Sequence, residues 1–376
     1  MKLAMSGALL KRLVERALKS VARRTTIPIL KHIRIEVLPN GRVIVTGTDL
    51  DNWISIEAAS DSAKVEQAGT TCIPGTLFGN VLKKLPDGEI SIDASDGRQA
   101  VIKAGTAQFK IHILPAADFP EEKGLQSASV GFLIPADHLT QIEKLVSFAM
   151  SDEETRYYLN GVYLHLVDGD VVAVATNGHT LSRAVLKNAD DADPLPAFRP
   201  PIIHRDTLKL FATIAEAAIG TDGVTVTVDE ARICFEAGDL RVVSKLIDGE
   251  FPDYPRVIPA NNQLICTIER EALVAAVERV RTISAERGRV IGLTLSDGEL
   301  RLQVKASDGD GEDVVPCDWN GDEGFQIGAN GKYLATILGT FTGDEITLAF
   351  GTPGDAMLIT DAQDPSRIVI LMPMRV

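Results

Sequence analysis

One pattern of helices and strands occurs three times along the 376-residue chain. Each copy opens with an amphipathic segment, whose apolar residues recur at three- and four-residue steps as they do on one helix face. The three segments are GALLKRLVERALKSVARR from Gly7, ADHLTQIEKLVSFAM from Ala136 and REALVAAVERVRTIS from Arg270. A repeat of this length limits the chain to a tandem array of similar units, each with its own helices and strands.

A β-rich stretch with a hairpin turn follows each opening helix. The predicted turns are Asn40-Gly41, Asp168-Gly169 and Asp297-Gly298. These dipeptides supply the positive φ angles that a two-residue turn needs. The strands after the turns begin about 128 residues apart, which is the period of the repeat.

Each copy is completed by a second short helix and further strands. The helices are TLFGNVLKKL, TLKLFATIAEAA and GKYLATILGTF, and the copies end on LPAADFP, LIDGEFPDYP and ILMPMRV. ILMPMRV is therefore predicted to be a strand of the third copy, although chain ends are usually polar and frayed. We predict an α+β protein of three tandem similar domains, with boundaries at 1–124, 125–258 and 259–376.

Composition narrows the class of protein. Hydrophobic residues make up 45% of the chain, and no run approaches the roughly 18 apolar residues of a membrane span, so no membrane partner is expected. The opening residues mix apolar side chains with Lys and Arg, which is unlike a signal peptide. The four cysteines are widely spaced and form no CxxC pair. That pattern is typical of reduced thiols and predicts a cytoplasmic protein.

The charge is unevenly placed. A net charge of −14, taken alone, argues against nucleic acid as a partner. The first helix nevertheless carries Lys11, Arg12, Arg16, Lys19, Arg23 and Arg24 against Glu15 only. This helix is either a solvated face or a local positive field on an acidic body, and its composition leaves both interpretations open.

A search for catalytic motifs finds no GxSxG, HExxH, P-loop or GxGxxG in the sequence. His179 in ATNGHTLS is a candidate general base, but a turn histidine that packs locally is the simpler interpretation. The carboxylates of Asp152, Glu153 and Glu154 most simply cap or solvate a helix end. Tyr157 and Tyr158 are adjacent, so at least one is expected at a surface, either as a structural corner or stacked on a base.

Several phrases of the sequence occur together in one protein family. They are TIPIL, TGTDL, LPAADFP, RYYLNG, VATNGHTL, SKLIDGEFPDYPRVIP and MPMRV, in this order. On these residues the chain resembles, essentially from end to end, the bacterial DNA polymerase III β subunit, the replicative sliding clamp. The resemblance implies a non-catalytic processivity factor that has no cofactor and no metal.

The resemblance also implies a DNA clamp fold whose three-domain subunits join head to tail in a homodimeric ring. Helices would line the hole and strands would form the outside, so basic residues of the inner helices would face phosphates. Contacts with double-stranded DNA are expected to be weak, salt-dependent and independent of sequence. The implied protein partners are the DNA polymerase III α subunit, the clamp loader δ subunit, and other polymerases and repair proteins that carry clamp-binding motifs.

In this family a hydrophobic pocket between domains two and three takes a short linear peptide of the partner. Carried over position by position, its residues are Leu159, Thr176, Gly178, His179, Leu181, Pro252, Arg256, Val257, Asn330, Tyr333, Ile370, Met372, Pro373, Met374 and Arg375. Flexible and polarizable methionines suit a pocket that takes several partners. Without the resemblance, an edge strand with a buried tail is the preferred interpretation of ILMPMRV.

The resemblance places other contacts as well. The predicted DNA-binding residues are Arg24, Arg156, Tyr157 and Tyr158. The predicted ring interface joins Phe109 and Ile111 of one copy to Ile283 of the next, with an acidic rim of Asp308, Asp310, Glu312 and Asp313 facing Lys103 and Lys110. Because the basic side of this interface is thin, we expect a closed dimer that is weaker than is typical.

Some positions depart from the family. Its pocket turn usually carries Asp and Arg around the Gly-His pair, where this chain has Asn177 and Thr180, so partner preference is expected to differ. Thr282 stands where an aliphatic residue is common. Glu153 falls where a DNA-facing polar residue is common, and a carboxylate there would repel phosphate. Whether the chain is a main or an accessory clamp stays open.

Two alternatives to a sliding clamp remain. One is a clamp-fold scaffold that binds partner peptides but tethers DNA weakly, which Glu153 and the thin interface favour. The other is an enzyme, whose activity the substitution His179→Ala would abolish.

Overall fold

The computed structural model describes residues 1–22, 24–126, 128–188, 194–283, 290–307 and 309–375. Two predicted positions, Arg23 of the basic helix and Asp308 of the acidic rim, lie outside the described residues. The α-helices are α1 (Gly7–Ala17), α2 (Gly75–Lys84), α3 (Ala136–Val146), α4 (Arg205–Leu208), α5 (Phe211–Ala217), α6 (Arg270–Arg281) and α7 (Gly331–Leu338). Short 3₁₀ turns lie at Leu18–Ser20, Pro28–Lys31, Ala116–Asp118, Ser147–Ala149, Glu154–Leu159 and Tyr254–Val257.

Strands make up most of the regular structure. They are β1 (Lys2–Ser6), β2 (His32–Val37), β3 (Val43–Thr48), β4 (Asn52–Ala58), β5 (Ala63–Gln67), β6 (Gly69–Pro74), β7 (Glu89–Asp93), β8 (Gln99–Ala104), β9 (Ala107–His112), β10 (Val130–Ile134), β11 (Gly161–Val167), β12 (Asp170–Thr176), β13 (Thr180–Leu186), β14 (Ile202–His204), β15 (Val224–Val228), β16 (Arg232–Ala237), β17 (Leu240–Lys245), β18 (Leu264–Glu269), β19 (Val290–Ser296), β20 (Glu299–Ala306), β21 (Gly309–Trp319), β22 (Phe325–Asn330), β23 (Glu345–Phe350), β24 (Met357–Asp361) and β25 (Asp364–Leu371).

The chain divides into two compact units. The first comprises Met1–Leu139, Leu195–Arg199 and Lys209–Leu246, and the second comprises Thr140–Pro194, Pro200–Leu208 and Ile247–Val376. The three domain boundaries read from the repeat stay a prediction. None of the helices in the described ranges is both long and apolar enough to cross a membrane.

The first unit holds two antiparallel sheets, with strand orders β5-β1-β7-β8-β9 and β10-β15-β16-β17-β4-β3-β2-β6. In the larger sheet β4 pairs with β17, so strands of the first and second copies of the repeat share one sheet. Helix α1 buries Leu10, Leu13 and Val14 and runs close over β3. A Cβ at Gly47 would lie 2.2 Å from the carbonyl oxygen of Ala17, so this close approach requires glycine.

The second unit is built on one sheet of order β14-β11-β12-β13-β25-β24-β23-β18-β21-β20-β19-β22. Its main core, which includes Leu273, Val277 and Leu334, lies between this sheet and helices α6 and α7. The final strand β25 lies between β13 and β24. The interpretation of the C-terminal run as an edge strand is therefore wrong, because both backbone edges of β25 are hydrogen-bonded.

Most predicted elements are present, with local differences. The hairpins at Asp168-Gly169 and Asp297-Gly298 have the predicted two-residue loops, whereas the loop at Asn40-Gly41 spans residues 38–42. Helix α1 gives way to a 3₁₀ turn after Ala17, and backbone at Val21 is already extended, so the helix does not reach Arg24. The helix predicted after Thr207 is divided into α4 and α5. All four cysteines are buried and free, as their spacing predicted.

Candidate peptide pocket and nucleic-acid interface

The C-terminal residues form a strap beyond β25. The backbone N–H of Met372 donates to the carbonyl oxygen of His179 at 2.9 Å, and the N–H of Met374 donates to that of Gly328 at 2.8 Å. A Cβ at Gly328 would lie 2.4 Å from the Met374 carbonyl oxygen, so only glycine lets the strap come this close. The strap (Met372 to Arg375) is thus tied to the turn after β12 and to β22.

The strand that leads into the strap is anchored by a buried guanidinium. Arg367 on β25 is 1% exposed and lies 4.3 Å from the centroid of the Phe341 ring. It donates to the carbonyl oxygen of Thr340 at 2.9 Å and to its hydroxyl oxygen at 2.5 Å. Burial lowers the pKa of Arg367 to about 10. The sequence did not predict that Arg367 is buried, because an arginine in a strand usually faces solvent.

The turn that carries His179 is held by its own side chains. Asn177 Oδ1 accepts hydrogen bonds from the backbone N–H of His179 at 2.9 Å and of Thr180 at 2.8 Å. The Thr176 hydroxyl donates to the Thr180 carbonyl oxygen at 2.7 Å, and Gly178 adopts a φ of +87°. Thr180 is buried, and its hydroxyl donates to Asn177 Oδ1 at 3.2 Å. The turn is therefore fixed, and Thr180 adds no charge to it.

Helix α7 brings an aromatic ring to this turn. Asn330 caps the helix, since its Oδ1 accepts from the backbone N–H of Lys332 at 3.0 Å and of Tyr333 at 3.2 Å. The Tyr333 ring lies against the His179 imidazole, with centroids 6.0 Å apart and planes 20° from parallel. Both rings are predicted pocket residues, and the cap sets the position of Tyr333.

An apolar cluster lies under the same region. Leu181 on β13 is directly opposite Ile370 on β25, and both pack with Leu159. Other members of this cluster are Val172, Val174, Ile202, Phe251 and Tyr254. The predicted residues Pro252, Arg256 and Val257 are exposed on the loop that carries Phe251 and Tyr254. The structure thus joins the predicted residues of β13, β25 and the strap closely, and leaves those of this loop on the surface.

Arg156 lies at the pocket turn. Its Nε donates to Glu153 Oε2 at 2.9 Å and its Nη2 donates to Glu153 Oε1 at 2.6 Å. Its Nη1 would be 2.8 Å from a Cβ at Gly178, so the guanidinium rests against the turn that carries His179. The hydrogen bond from Arg156 holds the pKa of the Glu153 carboxyl below its ordinary value. The sequence assigned both residues to the DNA side, and this pairing was not foreseen.

The two adjacent tyrosines differ in exposure. Tyr157 is 53% exposed, whereas Tyr158 packs at the edge of the apolar cluster, and the rings meet edge to face at 5.9 Å. A Cβ at Gly249 would lie 2.9 Å from Tyr158 Cβ, so the loop that contains Gly249 also packs against Tyr158. The expectation that at least one of the two tyrosines is on the surface is confirmed.

The cations of α1 are largely engaged within the first unit. Arg12 Nη2 and Arg16 Nη1 donate to the two carboxylate oxygens of Asp239 at 2.9 and 2.7 Å. Asp239 lies in the turn between β16 and β17. By contrast Lys19 and Arg24 are exposed, and no ion pair holds either of them within the described part of the chain. Among the described cations of this basic segment, Lys19 and Arg24 are therefore the ones available to an external anion.

Strand β9 is an outer strand of the five-stranded sheet. Phe109 on it is 39% exposed and Ile111 is 4% exposed. The exposed residues of β9 also include Lys110. This edge therefore presents an aromatic side chain and a cation to solvent.

Strand β21 has one half-open edge. Its first half pairs only with β20 among the described strands, and its last residues, Cys317 to Trp319, also pair with β18. Val314 in the first half is 40% exposed, which the sequence did not indicate. Ile283 covers the same half, because its Cδ1 would be 2.7 Å from a Cβ at Gly311.

The acidic residues of β21 are partly neutralised by neighbours. Arg279 Nε donates to Asp313 Oδ2 at 2.5 Å, and Arg301 donates to Glu312. These bonds help to keep the pKa values of both carboxyls below their ordinary values; for Glu312 the larger cause is the hydrogen bond from Gln303. Two of the predicted rim acids thus have partners in their own chain.

The tandem α+β copies, their sheets and the strap beside the histidine turn are the features of a DNA clamp. Sequence models of the N-terminal, central and C-terminal domains of the DNA polymerase III β subunit match residues 1–123, 133–253 and 255–375. The chain belongs to the DNA polymerase III β-subunit family, the β sliding clamps. This family is that of the non-catalytic processivity subunit of the polymerase.

Individual relatives agree over the full length. The β sliding clamp of Caulobacter vibrioides is 36% identical over 385 residues, with 100% of both chains covered. The crystal structure of the C. crescentus clamp, with polyethylene glycol bound at its proposed β-motif tethering region, has a TM-score of 0.91 at 35% identity and covers 100% of both chains. The Bartonella birtlesii clamp bound to griselimycin has a TM-score of 0.91 at 33% identity, again over 100% of both chains. The predicted class and clamp fold are confirmed, and the residue assignments stay predictions.

Proposed function

We propose that this chain acts in the cytoplasm as a head-to-tail homodimeric ring on double-stranded DNA and holds its partners by a peptide in the pocket. The pocket is defined by the fifteen residues assigned to it from the sequence, with Arg156 added. The observation that carries the proposal is the strap, because it ties Met372 to the turn of His179, against which Tyr333 stacks, and ties Met374 to β22, next to an apolar cluster that includes Ile370.

The pocket suits a short apolar peptide. Its floor is buried and packed, while Met372 at its rim is 42% exposed. Preformed grooves with apolar anchors reduce the ordering cost of binding an extended segment. The partners are those implied by the family: the polymerase III α subunit, the clamp loader δ subunit, and other polymerases and repair proteins.

The ring would close through strand edges. The outer strand β9 presents Phe109 and Lys110, and the open half of β21 presents Val314, with Ile283 packed at Gly311 in the same half. Two such edges from different copies can pair by strand addition, with apolar side chains meeting beside them. Because Glu312 and Asp313 already have arginine partners, less charge attraction remains for Lys103 and Lys110, and the dimer is expected to be weak.

Contact with DNA would be limited to phosphates. Lys19 and Arg24 are exposed without ion pairs in the described chain, whereas Arg12 and Arg16 hold Asp239. Few phosphate contacts mean a small salt dependence and weak binding, which suits a protein that must slide. Tyr157, with its exposed ring, is the remaining candidate for a contact with DNA.

Light scattering after size exclusion, over a dilution series, tests the proposal. A species of twice 40.4 kDa that persists at low concentration is the expected result. A monomer at every concentration would contradict the ring and favour the second candidate, a peptide-binding scaffold with the clamp fold. The internal pairing of Glu312 and Asp313 is the observation that supports this second candidate.

A further inference from the structure

We propose that the Glu153–Arg156 pair makes the pocket select peptides that are uncharged where they approach Arg156, and reject acidic ones. The inference rests on the proposed function of the pocket and adds the chemistry of its ligand. It concerns Glu153, which the sequence assigned to the DNA side of the chain.

The first step is the geometry of the pair. Two contacts of 2.9 and 2.6 Å join the Glu153 carboxylate to the Arg156 guanidinium in a fork. A guanidinium has five N–H donors in a fixed plane, and this fork occupies two of them. The remaining nitrogen, Nη1, points at the Gly178 turn. A carboxylate from a peptide could therefore not form the same fork unless it displaced Glu153.

The second step is the charge around the pair. Thr180 on the pocket turn is uncharged, and its hydroxyl donates to Asn177. Arg256 of the neighbouring loop is bound by Asp253, with Nε 2.6 Å from Oδ2. The Glu153 side chain is 51% exposed. An acidic peptide residue near Arg156 would therefore meet a carboxylate rather than a free cation, and like charges at an interface oppose binding.

The third step separates the pair from the fold of its loop. The backbone N–H of Glu153 donates to the Ser151 hydroxyl oxygen at 3.2 Å, and its carbonyl oxygen accepts from Asn160 Nδ2 at 3.2 Å. The same carbonyl oxygen accepts from the Arg156 N–H at 3.3 Å. These bonds do not use the Glu153 carboxylate. The substitution Glu153→Gln should consequently keep the loop and release the guanidinium.

The experiment uses a fluorescent peptide selected on the full-length chain from a random library. Each position of the peptide is replaced in turn by Asp and, as a neutral match, by Asn. Anisotropy titrations then give the ratio of the two dissociation constants at each position. For the wild type we expect at least one position where Asn binds about five-fold more tightly than Asp, a size typical of an interaction between exposed charges.

Glu153→Gln is the decisive variant. At the position found in the wild type, the preference for Asn should fall to parity or reverse. Glu154→Gln is the matched control, because Glu154 is the next residue, is also exposed, and loses the same charge in this substitution. It should leave the ratio as it is in the wild type. Raising the salt concentration should reduce the wild-type preference, because the pair is partly exposed.

Two results would overturn this inference and leave the proposed function standing. One is a ratio of the Asp and Asn dissociation constants that Glu153→Gln does not change. The other is a ratio that changes equally in Glu153→Gln and Glu154→Gln, which would indicate a general electrostatic effect of the loop. Failure of the pocket itself is distinguishable from these. If Met372→Ala and His179→Ala leave the affinity of every selected peptide unchanged, the peptides bind elsewhere, and the proposed function falls together with this inference.

Discussion

The pocket and the two open strand edges are built in opposite ways. The pocket joins segments that are far apart in the sequence through backbone hydrogen bonds, such as those of Met372 and Met374, over a buried cluster. The edges of β9 and β21 instead present single exposed side chains, Phe109 and Val314, and the carboxylates beside Val314 have arginine partners in the same chain. In the proposed function, the pocket is complete within one copy, and the interface needs a second copy. Peptide binding should therefore survive when the ring is opened.

Opening the ring should give the largest effect. Phe109→Asp puts a charge on the most exposed apolar residue of β9 and is expected to weaken the dimer by about thirty-fold, the size of an interface hot spot of about 2 kcal/mol. Light scattering over a dilution series measures this change. Peptide affinity of the same variant should stay within two-fold of the wild type, on the argument that distant sites are independent.

Leu133→Asp is the control for Phe109→Asp. Leu133 is 49% exposed on β10, which is the outer strand of another sheet and is not part of the proposed interface. It should leave the dimer unchanged. If Phe109→Asp also abolished peptide binding in a folded monomer, the separation of the two regions would be wrong.

Displacing the strap should have the complementary effect, which is weaker peptide binding with an unchanged dimer. Gly328→Ala places a methyl group 2.4 Å from the Met374 carbonyl oxygen, so the strap must move away from β22. Because such overpacking costs about 1–3 kcal/mol, peptide affinity should fall by roughly ten-fold. The dimer should be unaffected. Anisotropy titration and light scattering on the same sample measure the two properties.

Gly354→Ala is matched to Gly328→Ala. Gly354 is exposed in the same unit, its nearest neighbour is 3.9 Å from the added Cβ, and its φ is not in the left-handed region. It should behave as the wild type. Circular dichroism distinguishes a displaced strap from a misfolded chain. Unchanged peptide affinity in a folded Gly328→Ala variant would show that the strap does not shape the pocket.

The same contrast explains what the sequence could predict. Local signals worked: Asp168-Gly169 makes a two-residue hairpin, and the amphipathic segments at Gly7 and Arg270 are helices. The family phrases also located the turn of His179 and the C-terminal run. These signals can be read from residues that are close together in the sequence, either as a local periodicity or as a contiguous motif.

What the sequence missed depends on contacts between distant residues. The need for glycine at Gly328 comes from Met374, and the charge of Arg12 is taken up by Asp239, which is 227 positions away. Arg156 was assigned to DNA on the family resemblance alone. The fork with Glu153 became visible only when the loop geometry set both side chains at one place.

The smallest expected effect tests whether internal ion pairs weaken the ring edge. Arg301 donates to Glu312 on the open half of β21, and its removal leaves that carboxylate with the neutral Gln303 as its partner, so that its charge can attract a lysine of β9 in another copy. Exposed pairs are worth about 0–1 kcal/mol, so Arg301→Gln should tighten the dimer by roughly two- to three-fold at low salt. The gain should disappear at high salt, because screening acts on exposed charges.

Arg42→Gln is the control for Arg301→Gln. It breaks the surface pair between Arg42 and Glu57, which is far from Arg301 in the sequence, and it changes the net charge by the same amount. It should leave the dimer unchanged. A weaker dimer in Arg301→Gln would mean that the arginine itself reaches across the interface, and the open half of β21 would then be an edge whose charges are paired between copies rather than within one.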